Sequence, residues 1–294
     1  MTYLQDLDGK TIVVTGATSG IGFATAQALA LRGAHVIGVG RSEARCLAMQ
    51  QHIQAELPAA RVSPLAADLA SQSEVRRLAA AIRTLIADSG AGVVDTLVNN
   101  AGVVSSWYAA TPDGYELQFA VNHLAPFLLT HELLPLLLAA PAGRVVTVSS
   151  GSHYRTRMHW PDVMYRRHYS CLMAYKQSKL ANVLFTAELN RRLGPASRVR
   201  AYAADPGLVN TEIGLKGTGG LEQWVWERRR AGGASPEQGA ATVIFLAVDP
   251  SVEGTRHIYW KDCRPVRPSR QALSPAEAAR LWALSERLCG LAEG

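Results

Sequence analysis

From Thr11 onward the chain alternates short runs of β-branched residues with longer helical stretches. Thr11 to Thr15 reads as a strand and Ile21 to Arg32 as a helix; Ala34 to Gly40 and Ser42 to Glu56 repeat the pair. Arg61 to Ala66, Thr96 to Asn99, Arg144 to Ser149 and Arg198 to Ala203 read as further strands. Between them Ser73 to Asp88, Gly114 to Ala139 and Ala174 to Leu193 read as helices. Strands joined through helices of this length run parallel, with the helices packed on both sheet faces. Apolar strands such as Ile12-Val13-Val14 and Val145-Val146-Thr147-Val148 suit burial on both sides. The expected fold class is therefore α/β, a doubly wound parallel sheet. No repeat, low-complexity tract or linker divides the chain, so residues 1–294 are read as a single domain.

Composition removes several alternatives. Hydrophobic residues make up 48% and charged residues 18%, enough apolar material for a large core. No run of eighteen apolar residues predicts a membrane span, and Met1 to Lys10 lacks a secretory h-region, so a cytoplasmic protein is expected. Cys46, Cys171, Cys263 and Cys289 are far apart and are read as reduced thiols. The net charge of +6 is scattered rather than gathered on one motif, so no nucleic-acid partner is predicted. No histidine spacing of the HExxH type predicts a metal.

The segment Thr15-Gly16-Ala17-Thr18-Ser19-Gly20-Ile21-Gly22 lies between the first strand and first helix. Glycines there permit a tight turn and close approach of a pyrophosphate to free N–H groups at a helix start. The spacing is Gly-x-x-x-Gly-x-Gly rather than the general Gly-x-Gly-x-x-Gly. Thr18, Ser19 and Ile21 join Gly16, Gly20 and Gly22 as candidate cofactor contacts. An NAD site places an acid at the end of the second strand. Here Arg41 stands there, with Arg45 a turn later, and a guanidinium suits a 2′-phosphate. NADP(H) is expected ahead of NAD(H). Asp68, followed by Leu69, is placed to accept from an adenine amino group, or to cap the next helix.

Tyr175 and Lys179, in Tyr175-Lys176-Gln177-Ser178-Lys179, fall on one face of a helix. A free phenol has a pKa of about 10, too high for a base near neutral pH; an adjacent ammonium is expected to lower it. Ser150 would hold a substrate oxygen beside Tyr175, and Asn122 would anchor a water linking Lys179 to solvent. Ser149 is the alternative hydroxyl.

These motifs, in this order, resemble the short-chain dehydrogenase/reductase family along almost the whole chain. The matching residues are Gly16 to Gly22, Asn99-Asn100-Ala101-Gly102, Asn122, Ser150, Tyr175 with Lys179, and Pro206-Gly207. The resemblance implies a single Rossmann domain with about seven strands, catalysis by Asn122, Ser150, Tyr175 and Lys179, and nicotinamide cofactor chemistry. It implies that Asn100 and Ala101 lie by the adenosine side, that Gly102 with Pro206 and Gly207 also belongs to the cofactor site, and that Val209 and Thr211 reach the carboxamide. The cofactor half would be about 1–145 and the catalytic and substrate half about 146–294.

Three stretches are similar to the retinol-dehydrogenase-like branch: Arg144 to His153, Ala174 to Phe185 and Asp205 to Thr211. The long interval between Ser150 and Tyr175 and the closing Leu281-Trp282 to Leu288 point the same way. That branch implies an apolar carbonyl or alcohol substrate, retinoid-, isoprenoid- or lipid-like. Its animal members usually start with a membrane anchor, which the polar start here does not resemble. The resemblance also implies a homodimer or tetramer through helices 114–139 and 174–193.

Two segments are read as the substrate side. Residues 152–170 carry Tyr154, Met158, Trp160, Met164 and Tyr165, which either line a pocket or pack the insertion down. Residues 211–233 carry Leu215, Leu221, Trp224 and Trp226 and are read as a lid, with peripheral membrane contact an alternative. His153 and His159 are read as structural. Ser274-Pro275-Ala276-Glu277 opens a packing helix over 275–289. A non-catalytic NADP(H)-binding sensor of the same fold is the competing function, and an epimerase or dehydratase with tightly held NAD a third.

Overall fold

A computed structural model describes residues 6–209 and 233–291. The elements are β1 (Thr11–Thr15), α1 (Gly20–Leu31), β2 (His35–Gly40), α2 (Glu43–Glu56), β3 (Val62–Ala66), α3 (Gln72–Asp88) and β4 (Thr96–Asn99). They continue with α4 (Leu117–Ala139), β5 (Arg144–Val148), α5 (Cys171–Leu193), β6 (Arg200–Asp205), α6 (Pro236–Val248), β7 (Tyr259–Lys261), β8 (Arg264–Pro265) and α7 (Pro275–Leu288). The sheet order is β3-β2-β1-β4-β5-β6-β7-β8. The first seven strands pair in parallel, as the alternation requires. An eighth, two-residue strand turns back antiparallel on β7, one strand beyond the expected number. The order reverses between β1 and β4, which opens a crevice at their carboxyl ends.

The strand pleat divides the core in two. Val13, Leu97, Val145 and Ala203 face one side, packing with Leu78 and Ile82 of α3, Leu128 of α4 and Leu184 of α5. Their neighbours Ile12, Val14, Val98 and Val146 face the other, packing with Leu29 of α1, Ile53 of α2 and Leu246 of α6. This two-sided burial is why the strands read as apolar runs rather than alternating ones.

Serine side chains cap five helices: Ser42, Ser71, Ser170, Ser235 and Ser274 each accept a backbone N–H in the first turn of α2, α3, α5, α6 and α7. Ser71, not Asp68, caps α3. Helix α4 is long and apolar, but 67% of its apolar window is buried and it serves as a core helix.

Helix α7 lies against α4 and α5, the helices the resemblance assigns to an oligomer interface. Trp282 sits 4.9 Å from Phe127 and stacks on Phe185 at 6.0 Å. His123 Nε2 and Ser285 Oγ are 2.8 Å apart, and the last carbonyls of the helix accept from Gln72, Tyr115 and Arg76. The insertion after β5 is packed down in the same way. Met158 and Met164 are core residues, Trp160 Nε1 donates to Glu277, and the Arg280 guanidinium lies 4.2 Å over the Trp160 ring. Met158, Trp160 and Met164 thus pack the insertion onto the body, while Tyr154 is 36% exposed. Thr211 and nearly all of the 211–233 lid fall outside the described residues.

Candidate active site

The turn after β1 is shaped by what its glycines leave out. Gly16 and Gly20 have φ of +68° and +55°, a region that favours glycine. A Cβ on Gly22 would stand 2.1 Å from the Gly16 carbonyl oxygen and 2.3 Å from Asn100 Nδ2, so only glycine lets α1 approach this closely. Asn100 Nδ2 donates to Thr15 O at 2.8 Å, and the backbone N–H groups of Asn100 and Ala101 both reach Thr15 Oγ1. The Asn100 side chain therefore braces the glycine turn from below. Thr15 ties the two strand ends together, a role its spacing did not reveal.

Ser19 stands at the N-cap of α1 but makes no side-chain capping bond, and the first turn holds no acidic residue. Helices α2, α3, α5, α6 and α7 use their serines at this position. The start of α1 is thus left with donors facing the crevice, as an anion-binding helix start needs.

Arg41 is exposed immediately after β2. Gly40 brings it to the cradle: a Cβ there would meet Thr18 Cγ2 at 2.5 Å and Cys46 Sγ at 2.8 Å. Asp68 is exposed after β3 and accepts from the Ala70 N–H at 3.0 Å, while Leu69 packs on the core. At the far end of the crevice Gly207 has φ +74°. A Cβ on Gly239 would meet Val209 at 2.5 Å and Ile21 at 3.2 Å; Gly239 of α6, which the sequence did not mark, lets Val209 and the start of α1 pack against it.

The catalytic candidates converge at the carboxyl ends of β5 and β6. Ser170 starts α5 early, so Tyr175 lies in its second turn, 8% exposed, with Lys179 at 3% one turn on. Lys179 Nζ donates to Val148 O at 3.1 Å and lies 5.6 Å from the Tyr175 ring centroid. Ser150 hydrogen-bonds the Tyr175 phenol. Ser149 is buried and donates to the Lys179 carbonyl at 2.8 Å, which leaves Ser150 as the hydroxyl of the site.

Asn122 sits in a π-helical turn (Ala120–Leu124) within α4 and is fully buried. Its Oδ1 accepts from Val103 N at 2.8 Å, and its Nδ2 donates to Val103 O and Ser178 Oγ. The amide braces the chain after β4 against α5.

Protonation corrects one expectation. Lys179 was expected to lower the Tyr175 pKa, but burial dominates and pushes the phenol up to about 12, only partly offset by Ser150. The same burial brings the Lys179 ammonium down to about 8. In the protein alone Tyr175 is a protonated acid, and Lys179 is still an ammonium at neutral pH. Asp205, at the end of β6, opposes the burial of Lys179. It was missed because a charge at a strand end carries no sequence sign of what lies above it.

The apolar surround of Tyr175 is Val104, Cys171 and Tyr169, with Tyr108 edge-on to Tyr169 at 5.9 Å. Trp107, Leu172 and Met173 are exposed along the loop after β4 and the start of α5.

Fold and site together define a dinucleotide-dependent oxidoreductase. The sequence model of the short chain dehydrogenases matches residues 10–217, and the chain belongs to that family. It falls in the retinol-dehydrogenase-like branch. It is 37% identical over 290 residues to human retinol dehydrogenase 11, covering 99% of this chain and 89% of that one. It is 40% identical over 294 residues to the WW domain-containing oxidoreductase of Danio rerio, covering 97% of this chain and 69% of the relative. A solved structure from Mycobacterium paratuberculosis superimposes with a TM-score of 0.74 at 37% identity, covering 99% and 98% of the two chains. A short chain dehydrogenase of Burkholderia cenocepacia in complex with NADP superimposes with a TM-score of 0.66 at 26% identity, covering 87% and 96%.

Proposed function

We propose that this oxidoreductase interconverts a carbonyl and an alcohol on an apolar substrate using NADP(H). The observation that carries the reading is the buried Tyr175 phenol, bonded to Ser150 and beside the Lys179 ammonium. A bound nicotinamide dinucleotide supplies or accepts the hydride. The glycine cradle at Gly16, Gly20 and Gly22 fits its pyrophosphate, and the uncapped start of α1 offers N–H donors to it, Thr18, Ser19 and Ile21 among them. Asp68, Asn100, Ala101 and Gly102 border the adenosine side, and Pro206, Gly207 and Val209 the nicotinamide side.

In the reductive direction Tyr175 donates its phenolic proton to the substrate oxygen, and Ser150 holds that oxygen in place. Lys179 stabilises the phenolate that forms and presents its remaining N–H donors toward ribose hydroxyls. Asn122 holds α4 and α5 in register around the pair. Arg41 supports the choice of NADP(H): it follows the strand that Gly40 brings against Thr18, and a guanidinium pairs well with a phosphate there. The Burkholderia cenocepacia relative was solved with NADP, in keeping with this preference. Val104, Tyr169 and Tyr108 give the substrate side its apolar character.

The test is initial rates of NADPH and NADH oxidation with a panel of apolar aldehydes and ketones, repeated for Arg41→Asp. Turnover favouring NADPH by tenfold or more, with the preference lost in Arg41→Asp, is the expected result. Tight cofactor binding with no turnover across the panel would instead favour a sensor.

A further inference from the structure

Behind Ser150, Tyr175 and Lys179 lies a second polar array. Asp205 is 4% exposed; its Oδ2 accepts from Tyr259 Oη–H at 2.6 Å and its Oδ1 from Gly207 N–H at 3.0 Å. Both donors are neutral, so they solvate the carboxylate without cancelling its charge. The sheet register sets that charge next to the catalytic pair. Val148 of β5 lies opposite Ala204 of β6, the residue before Asp205. Ser149 N donates to Ala204 O at 2.8 Å, and Lys179 Nζ donates to Val148 O. Asp205 Oδ2 also stands 3.4 Å from where a side chain on Gly151 would begin, so the carboxylate underlies the turn that carries Ser150.

Among the described residues, the other groups facing Asp205 bring no compensating cation. Tyr259 is a phenol held neutral by burial and by the carboxylate itself. His153, ring to ring with Tyr259 at 4.6 Å, donates from Nδ1 to Ser150 O at 2.8 Å and accepts from Ser269 N–H at Nε2. Accepting at Nε2 requires the neutral imidazole, and burial lowers its pKa accordingly. Tyr154 adds another phenol, and Lys261, opposite Asp205 in the ladder, is exposed. On α5 the facing groups are Tyr175 and Lys179 themselves.

We propose that Asp205 is the buried counter-charge of the catalytic pair, a positioning residue that keeps Lys179 as an ammonium and Tyr175 as a phenol. Burial alone drives the lysine toward the neutral amine; a nearby carboxylate opposes this and also disfavours the phenolate. The resting site is thereby set as a proton donor and biased toward carbonyl reduction. This rests on the reading of Tyr175 as the proton-transfer residue.

Asp205→Asn is the test, because an amide keeps the shape, can still accept from the Gly207 N–H at its oxygen and can donate to the Tyr259 hydroxyl from its nitrogen, so it removes the charge while reversing one hydrogen bond. The chain holds five lysines, so 13Cε-lysine labelling gives a resolvable NMR titration of the protein without substrate, with Lys179 assigned through Lys179→Arg. The Lys179 midpoint should fall by about one pH unit in Asp205→Asn, and the alkaline limb of carbonyl reduction should move down with it. An unmoved midpoint in a folded variant, even with a uniformly lowered rate, would show a merely structural role and overturn the proposal. If Asp205→Asn does not fold, Tyr259→Phe leaves the charge in place but less solvated; the Lys179 midpoint should then rise, and a fall or no change overturns the idea. Absence of turnover by the wild-type protein would count against the proposed function, whereas the NMR midpoint judges Asp205 independently.

Discussion

Replacing Lys179 by Met should destroy the site and stabilise the protein. The ammonium is buried, and its pKa falls from 10.5 to about 8. At about 1.4 kcal/mol per tenfold change in proton affinity, burying the charged form costs about 3 kcal/mol. Methionine has nearly the same length and no charge. The variant forfeits the hydrogen bond to Val148 O, worth about 1 kcal/mol. That carbonyl keeps Asn182 Nδ2 as a donor at 3.1 Å, so no acceptor is orphaned. The net gain is about 2 kcal/mol, or roughly 4–8 °C in Tm. The sign sets the pH window. A lysine whose folded pKa is depressed imposes its full cost below about pH 8, and the cost fades as pH rises toward 10.5. Tyr175, pushed up to about 12, begins to lose stability only above pH 10, outside the window compared. Urea denaturation at pH 7 and pH 10 should show a clear advantage for Lys179→Met at pH 7 that shrinks at pH 10. No advantage at pH 7, or one independent of pH, would refute the burial reasoning.

Four further outcomes rest on the same geometry. Gly22→Ala forces a Cβ to within 2.1 Å of the Gly16 carbonyl, so it should cost about 1–3 kcal/mol and weaken NADPH binding at least tenfold by fluorescence titration. Ser150→Ala should lower the reduction rate about 100-fold or more with little change in Tm. Ser149→Ala should do the reverse, retaining most of the rate while losing about 1 kcal/mol of stability by denaturant titration. Trp282→Ala should cost about 3 kcal/mol in urea denaturation, because Phe127 and Phe185 lose the ring that seats α7.

The sheet and most of its helices were legible because burial on both faces writes itself as apolar runs. Thr11–Thr15 and Thr96–Asn99 fall where the residues placed them. Other boundaries moved by one to three residues; at α3 and α5 the serine caps Ser71 and Ser170 begin the helix before the reading placed it. Helix α6 and the short strands β7 and β8 went unread. Strands of three and two residues carry almost no periodicity, and β8 is exposed. In the site, Ser150, Tyr175 and Lys179 were found from their chemistry and do come together. Thr15, Gly239 and Asp205 were not found, since their importance lies in contacts with distant segments. The direction of the Tyr175 shift was misjudged for a related reason: spacing reveals the neighbouring ammonium but not the depth of burial that outweighs it.

The most direct test of the account compares wild type with Tyr175→Phe, measuring NADPH affinity by fluorescence and carbonyl reduction by initial rates. NADPH binding should stay within about twofold of wild type and the rate should fall about 100- to 10,000-fold, the usual span for losing a positioned general acid. A Tyr175→Phe rate within tenfold of wild type would contradict proton transfer by Tyr175 and with it the reading of the site.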